Sequence, residues 1–135
     1  MRVAIVSAPA ERKKPPEYIT SFAKGITMMG HYTDIIDAWT EDGMRLPGYE
    51  YIAVVTEPVS IFSGKIPDVL PKVLSAGSSL VGKKSAAFVF KTGLFSVRAL
   101  SNLMKVMEKE GMKINWSDYL LNPPHAEAMG KHIGA

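Results

Sequence analysis

Three runs of strand length, Val3-Ala4-Ile5-Val6, Tyr51-Ile52-Ala53-Val54-Val55 and Ala86-Ala87-Phe88-Val89-Phe90, are apolar without interruption. A strand with one face in water alternates apolar and polar residues, so an unbroken run belongs in a sheet covered on both faces. A parallel sheet between two helical layers meets that demand, and few other arrangements do. Two further candidates are mixed. Residues 31–38 carry Asp34 and Asp37 around Ile35 and Ile36, and Met112, Ile114 and Trp116 alternate with Lys113, Asn115 and Ser117. Such patterns suit edge strands, which are less completely covered.

The segments between these runs have helical period. Ile19, Phe22, Ala23 and Ile26 fall at i, i+3, i+4 and i+7, as do Leu100, Leu103, Met104 and Met107. Gly30 and Gly111 follow them as left-handed C-caps. A shorter stripe of Val69, Leu70, Val73 and Leu74 is begun by Pro67 and closed near Gly77, and Ala126, Met129 and Ile133 make a last one, opened by Asn122 as N-cap with Pro123 at the first helical position. The order strand, helix, strand, strand, helix, strand, helix, strand, helix implies parallel pairing with right-handed crossovers. With the three apolar strands central, the spatial order 2-1-3-4-5 puts both mixed strands on the edges. The link through residues 39–48 has about a dozen residues in which to cross the sheet. It contains Gly43, Pro47 and Gly48, which leaves room for at most one helical turn. The expected architecture is therefore α/β: a three-layer, doubly wound, five-stranded parallel sheet forming a single domain over residues 1–135.

Composition narrows the function classes. A hydrophobic fraction of 47% with 21% charged residues is that of a globular chain, and no apolar run is long enough to span a bilayer. The apolar start at residues 3–6 reads as the first strand rather than a secretory leader. The chain has no cysteine, which excludes disulfides, thiolate nucleophiles, iron–sulfur clusters and cysteine-ligated zinc, and permits the cytoplasmic location we expect. A net charge of +3 spread along the chain favours neither nucleic acid nor membrane as a partner. His31, His125 and His132 are too scattered for a metal set. No Ser-His-Asp arrangement, paired-carboxylate motif, phosphate-binding Walker loop or dinucleotide fingerprint is present, so any redox chemistry has to come from a bound cofactor.

The segment Leu46-Pro47-Gly48-Tyr49-Glu50-Tyr51-Ile52-Ala53-Val54-Val55-Thr56-Glu57-Pro58-Val59 resembles the third strand of flavodoxin-like proteins. Ser63-Gly64-Lys65-Ile66-Pro67, followed by Leu70 and Leu74, is similar to the stretch leading into their next helix. Gly82-Lys83-Lys84 before an apolar strand, then Lys91-Thr92-Gly93 and the helix ending at Gly111, resembles their fourth strand and its loop. The likeness covers almost the whole chain. It implies FMN as cofactor, with the phosphate at the first loop (residues 7–16) and the isoalloxazine between the second (57–64) and third (92–97). Carried over position by position, the implied contacts are Ser7, Pro9, Ala10, Arg12, Lys13 and Lys14, then Pro58, Val59, Ser60, Phe62, Ser63 and Gly64, then Thr92, Gly93, Leu94 and Phe95. A flavin and a redox partner protein are the implied partners, and a homo-oligomer is left open. The location agrees with the rule that ligands of open α/β sheets bind where the strand order reverses, here between the first and third strands.

The first loop departs from that pattern. Flavodoxins usually present hydroxyl residues and a glycine there, so that backbone N–H groups surround a phosphate at a helix start. This loop has no glycine and no threonine, and its prolines at 9, 15 and 16 donate no N–H. Arg12, Lys13 and Lys14 either supply charge in place of the cradle or form a solvated loop. Phe62 and Phe95 either stack on a flat ring or pack within their own loops. Ser60, Ser63, Thr92 and Ser96 have hydroxyls for ring edges, although Ser96 equally suits an N-cap. Glu57 is the one acid of the cleft, with a proton-transfer role or a place as a loop acid in water. Trp39 and Trp116 read as partial core residues or as edge markers of a partner interface. Two functions follow: an FMN-binding protein for electron transfer or reduction of a small acceptor, or a flavodoxin-fold domain that has lost its flavin and acts as a protein-binding or assembly module.

Overall fold

Val3, Ile5, Tyr51, Ala53, Val55, Ala86 and Phe88 face one helical layer, and Ala4, Val6, Ile52, Val54, Ala87 and Val89 face another, all of them buried. The unbroken apolar runs are thus covered on both sides, as the hydrophobic effect requires of a central strand. The computed structural model describes residues 1–60, 62–76 and 79–134. Its strands are β1 (Arg2–Ala8), β2 (Tyr32–Asp37), β3 (Tyr51–Thr56), β4 (Lys84–Phe90) and β5 (Lys113–Leu120), and its helices are α1 (Glu17–Met28), α2 (Val69–Ala76), α3 (Ser96–Lys109) and α4 (Pro123–Gly130). The strands form one sheet in the order β2-β1-β3-β4-β5 with every pairing parallel, as expected from the sequence.

One layer is α1 with α4, whose Ile19, Phe22, Ile26 and Ala126 pack with Ile5, Phe88 and Leu120. The other is α2 with α3, whose Leu70, Val73, Leu74, Ala99, Leu103 and Met107 cover Val6, Val54 and Val89. The crossover from β2 to β3 contains one 3-10 turn at Leu46–Gly48, within the single turn expected. Leu46 and Tyr49 anchor it in the second layer. Gly30 and Gly111 have φ of +88° and +79°, the left-handed values expected of helix-ending glycines. Asn122 caps α4 by accepting from the His125 backbone N–H at 2.9 Å. The expected closure of α2 near Gly77 lies outside the described residues.

Three expectations are corrected. β5 runs on to Leu120, where its Leu120 side chain is fully buried, because its pairing with β4 continues through Phe90. Ile133 lies beyond α4 in a following turn, although it is buried like the helical residues of its stripe. Ser96 is the first residue of α3 and not its N-cap; its hydroxyl accepts from the Thr92 N–H at 3.2 Å and donates to the Gly93 carbonyl at 3.3 Å. It closes the turn that leads into the helix.

Candidate functional site

Parallel pairing carries the ends of all five strands to one rim, so the loops after β1, β3 and β4 stand together there. β1 and β3 are neighbours while their connections leave in opposite directions, which opens the reversal point between Ala8 and Thr56. Thr56 ties the two strand ends by donating from its hydroxyl to the Ala8 carbonyl at 2.7 Å.

The first loop is occupied from within. Glu57 is 8% exposed, and its Oε1 accepts from the Ala10 backbone N–H at 3.0 Å. Its Oε2 accepts from the Tyr18 hydroxyl at 2.6 Å, and Lys13 Nζ lies 3.6 Å from Oε1. The solvated loop acid expected from the sequence is therefore corrected: burial of a carboxylate is costly unless it is satisfied, and here two hydrogen-bond donors and an ammonium charge converge. Burial, reinforced by the bond to Glu57, raises the Tyr18 hydroxyl well above its ordinary pKa, so it remains a donor. Tyr18 was absent from the helical stripe read in the sequence. Its signal was a tyrosine in the first turn after Pro15-Pro16, since a buried phenol needs a partner.

Other residues implied for this loop are divided. Ser7 and Pro9 are buried, while Arg12, Lys13 and Lys14 are exposed. Ser7 Oγ has no hydrogen-bond partner among the described residues. The Pro9 carbonyl accepts from the Trp39 indole N–H at 3.0 Å, which ties the β2 end to the loop. Pro16 precedes α1 without an N–H to give, and the acidic Glu17 occupies the first helical position.

The second and third loops share a different surface. Ser60 and Ser63 form an isolated antiparallel bridge, and their hydroxyls accept from the Phe62 and Lys65 N–H groups at 3.0 and 3.4 Å. Their hydroxyls shape the turn itself. Phe62 stands 80% exposed, so it does not pack within its own loop. Pro58 and Gly64 are buried, and Val59 and Thr92 with Gly93 are exposed. Gly64 packs against Arg98 and Ala99, and its carbonyl accepts from Asn102 Nδ2 at 2.9 Å. This seats residues 62–65 against the start of α3. Beside them an open cavity of about 600 Å³ is lined by Leu94, Phe95, Val97, Arg98, Ser101, Asn102 and Lys105. Leu94 is 92% exposed, and the Arg98 guanidinium lies 5.8 Å from the Phe95 ring centroid.

Among the residues outside these loops, Trp116 packs edge-on against Phe88 and His132, His31 Nδ1 lies 3.2 Å from the N-terminal amine, and His125 Nδ1 accepts from the Leu121 N–H. The three histidines are thus engaged at separate places.

The implied flavin can be tested against these residues. A phosphate needs free N–H donors and positive charge at the first loop. Here the Ala10 N–H and Lys13 are directed at Glu57, Pro9, Pro15 and Pro16 have no N–H to offer, and an acid, Glu17, stands at the first position of α1. The residues present do not fit an FMN phosphate.

No family model matches the chain, and no curated protein matches it by sequence. Solved structures do resemble it. Oxidised flavodoxin 1 from Bacillus cereus superposes with a TM-score of 0.73 over 96% of this chain and 95% of its own, at 16% identity. A Streptococcus pneumonia TIGR4 flavodoxin gives 0.75 over 98% and 97% at 14% identity. A WrbA-like flavodoxin protein from Agrobacterium tumefaciens gives 0.65 over 98% and 94% at 16% identity. At identities this low the likeness speaks for architecture alone, and on that ground the chain has the flavodoxin fold.

Proposed function

We propose that this chain is a flavodoxin-fold binding module that docks an acidic, apolar segment of a partner protein on the surface formed by residues 58–65 and the start of α3. One observation carries the reading. Phe62, Leu94 and Val97 stand 80%, 92% and 71% exposed on one rim, and the two segments that carry them are cationic. Residues 58–67 and 91–107 contain Lys65, Lys91, Arg98 and Lys105 and no aspartate or glutamate. Exposed apolar side chains bordered by one sign of charge favour a partner of opposite sign carrying apolar anchors.

A synthetic amphipathic peptide with glutamates on one face and leucines on the other is the probe, followed by fluorescence anisotropy and by amide shifts in NMR spectra. Shifts centred on Leu94, Val97, Arg98 and Lys105 are expected, with binding lost on Arg98→Glu/Lys105→Glu. Equal binding of the lysine counterpart of that peptide, or of anionic vesicles, would overturn the reading.

FMN binding for electron transfer is the second reading, favoured by the placement of Phe62 and Phe95 on the two loops that would flank a flat ring. A redox partner protein would then dock on the same rim. Because the first loop offers no phosphate cradle, this reading requires riboflavin to bind as well as FMN does. Mixing the protein with either flavin and desalting it separates the two readings: a yellow eluate with altered flavin fluorescence supports the second, and a colourless one the first.

A further inference from the structure

We propose that a groove at the amino ends of the strands, on the far side of the sheet from the rim, binds a small ligand made of a flat aromatic ring carrying an anionic group, with the ring against Trp116 and His132 and the anion against Asn115 and Lys84. β3, β4 and β5 begin there at Tyr51, Lys84 and Lys113. A cavity of about 360 Å³ is lined by Tyr51, Asn115, Trp116, His132 and Gly134. An adjoining one of about 260 Å³ shares Tyr51 and Asn115 and adds Glu50 and Lys84. The first alone has the volume of a small-molecule site, and Asn115 stands in the wall common to both.

An irregularity of the sheet builds this groove. Ser85 pairs with Ile114 and Ala86 with Trp116, so Asn115 is an extra residue with no partner on β4. Its insertion reverses the alternation of β5: Ile114 packs in the layer of α2 and α3 and Trp116 in that of α1 and α4, although they are two positions apart. Bulges of this kind re-aim side chains and are frequent beside functional sites. Here the Asn115 amide oxygen accepts from the buried Tyr51 hydroxyl at 2.6 Å, which fixes the amide and leaves both N–H groups of Nδ2 without a partner among the described residues. The planes of Trp116 and His132 stand 87° apart with centroids at 6.5 Å, a corner in which a flat ring lies face-on to one and edge-on to the other. Lys84 and Lys113 are register partners, so two like charges stand side by side at a cost, and among the described residues neither has an ion-pair partner. Glu50, the acid lining the second cavity, accepts from the Arg2 backbone N–H at 3.1 Å. A bound anion relieves the repulsion between the lysines and receives the Asn115 donors.

Titration of isotope-labelled protein followed by NMR tests it, with adenosine monophosphate as the phosphate-bearing probe and benzoate as the carboxylate-bearing one, at matched ionic strength. Saturable shifts of the Trp116 indole N–H and the Asn115 side-chain amide are expected with at least one of them, and the tighter of the two identifies the anion. Adenosine and benzamide, which have the ring without the charge, and inorganic phosphate and acetate, which have the charge without the ring, should each bind at least fivefold more weakly. Asn115→Asp keeps the oxygen that Tyr51 bonds and exchanges the donors for a negative charge, so it should weaken binding at least tenfold with the circular dichroism spectrum unchanged. Lys84→Ala should weaken it at least threefold, and it carries the comparison alone if Asn115→Asp does not fold. Arg98→Glu/Lys105→Glu should bind these probes as the parent does, which keeps the outcome separate from that of the docking surface on α3. Absence of saturable binding with both probes, equal binding of the neutral rings or of the bare anions, or an affinity that Asn115→Asp or Lys84→Ala leaves unchanged overturns the proposal.

Discussion

Tyr51 opens β3 with a ring that is 3% exposed and a hydroxyl that donates to Asn115 Oδ1 at 2.6 Å. Burial pushes its pKa from 10.0 up to about 12. The folded state therefore holds the phenol proton more tightly than the unfolded chain does. The stability this contributes is complete below pH 10 and is lost as the pH rises from 10 towards 12. Urea unfolding of Tyr51→Phe followed by circular dichroism should show a stability lower than the parent's by about 1 kcal/mol near neutrality, with a shallower fall above pH 10. At Tyr18, Phe substitution leaves Glu57 Oε2 buried without its donor, and the expected cost is about 2 kcal/mol in the same measurement. Tyr51 was legible as part of an apolar run and Tyr18 only by its place after Pro15-Pro16, and in neither case did the sequence say which residue it would bond. Glu57 was recognisable as the acid of the cleft, but its state was not: whether a carboxylate is solvated depends on donors 39 and 47 positions away in the chain.

At the scale of elements, α1 and α4 meet through glycines. A Cβ on Gly25 would strike the Glu127 carbonyl oxygen, and one on Gly130 would strike the Phe22 carbonyl oxygen. Glycine inside a helix ordinarily costs about 1 kcal/mol relative to alanine, so Gly25→Ala improves local propensity. Close approach outweighs it here, and Gly25→Ala is expected to destabilise the protein by about 2 kcal/mol, read as a lower urea midpoint at an unchanged slope. The helices themselves were readable from periodicity, and Gly30 and Gly111 were readable as their ends. The contact between Gly25 and Gly130 was not, because a period reports which face is apolar and is silent on which other helix that face meets. The same limit explains Ile133, whose burial continues the stripe after the backbone has left α4.

For the molecule as a whole, strand order was legible because three fully apolar runs admit only a centre and two mixed runs only the edges. The rim was legible as a location, since parallel strands end together, while its division into a self-filled first loop and an open surface on α3 needed side chains. The open surface makes a prediction at this scale. Association through Lys65, Lys91, Arg98 and Lys105 is driven by charge, so raising the ionic strength should lower peptide affinity chiefly through a slower association rate, measurable by stopped flow.

The passage between β2 and β3 has a consequence of its own. Where the other crossovers each contribute a helix, this one has only a 3-10 turn, steadied by Arg45 bonding to Glu41 at 3.0 Å and by the Tyr49 hydroxyl bonding to Asp34 at 2.6 Å. Deuterium should therefore enter the amides of β2 well before those of β3 and β4, and Arg45→Ala should quicken it there alone. Exchange in that order would make the outer margin beside β1 the seam along which the sheet begins to come apart.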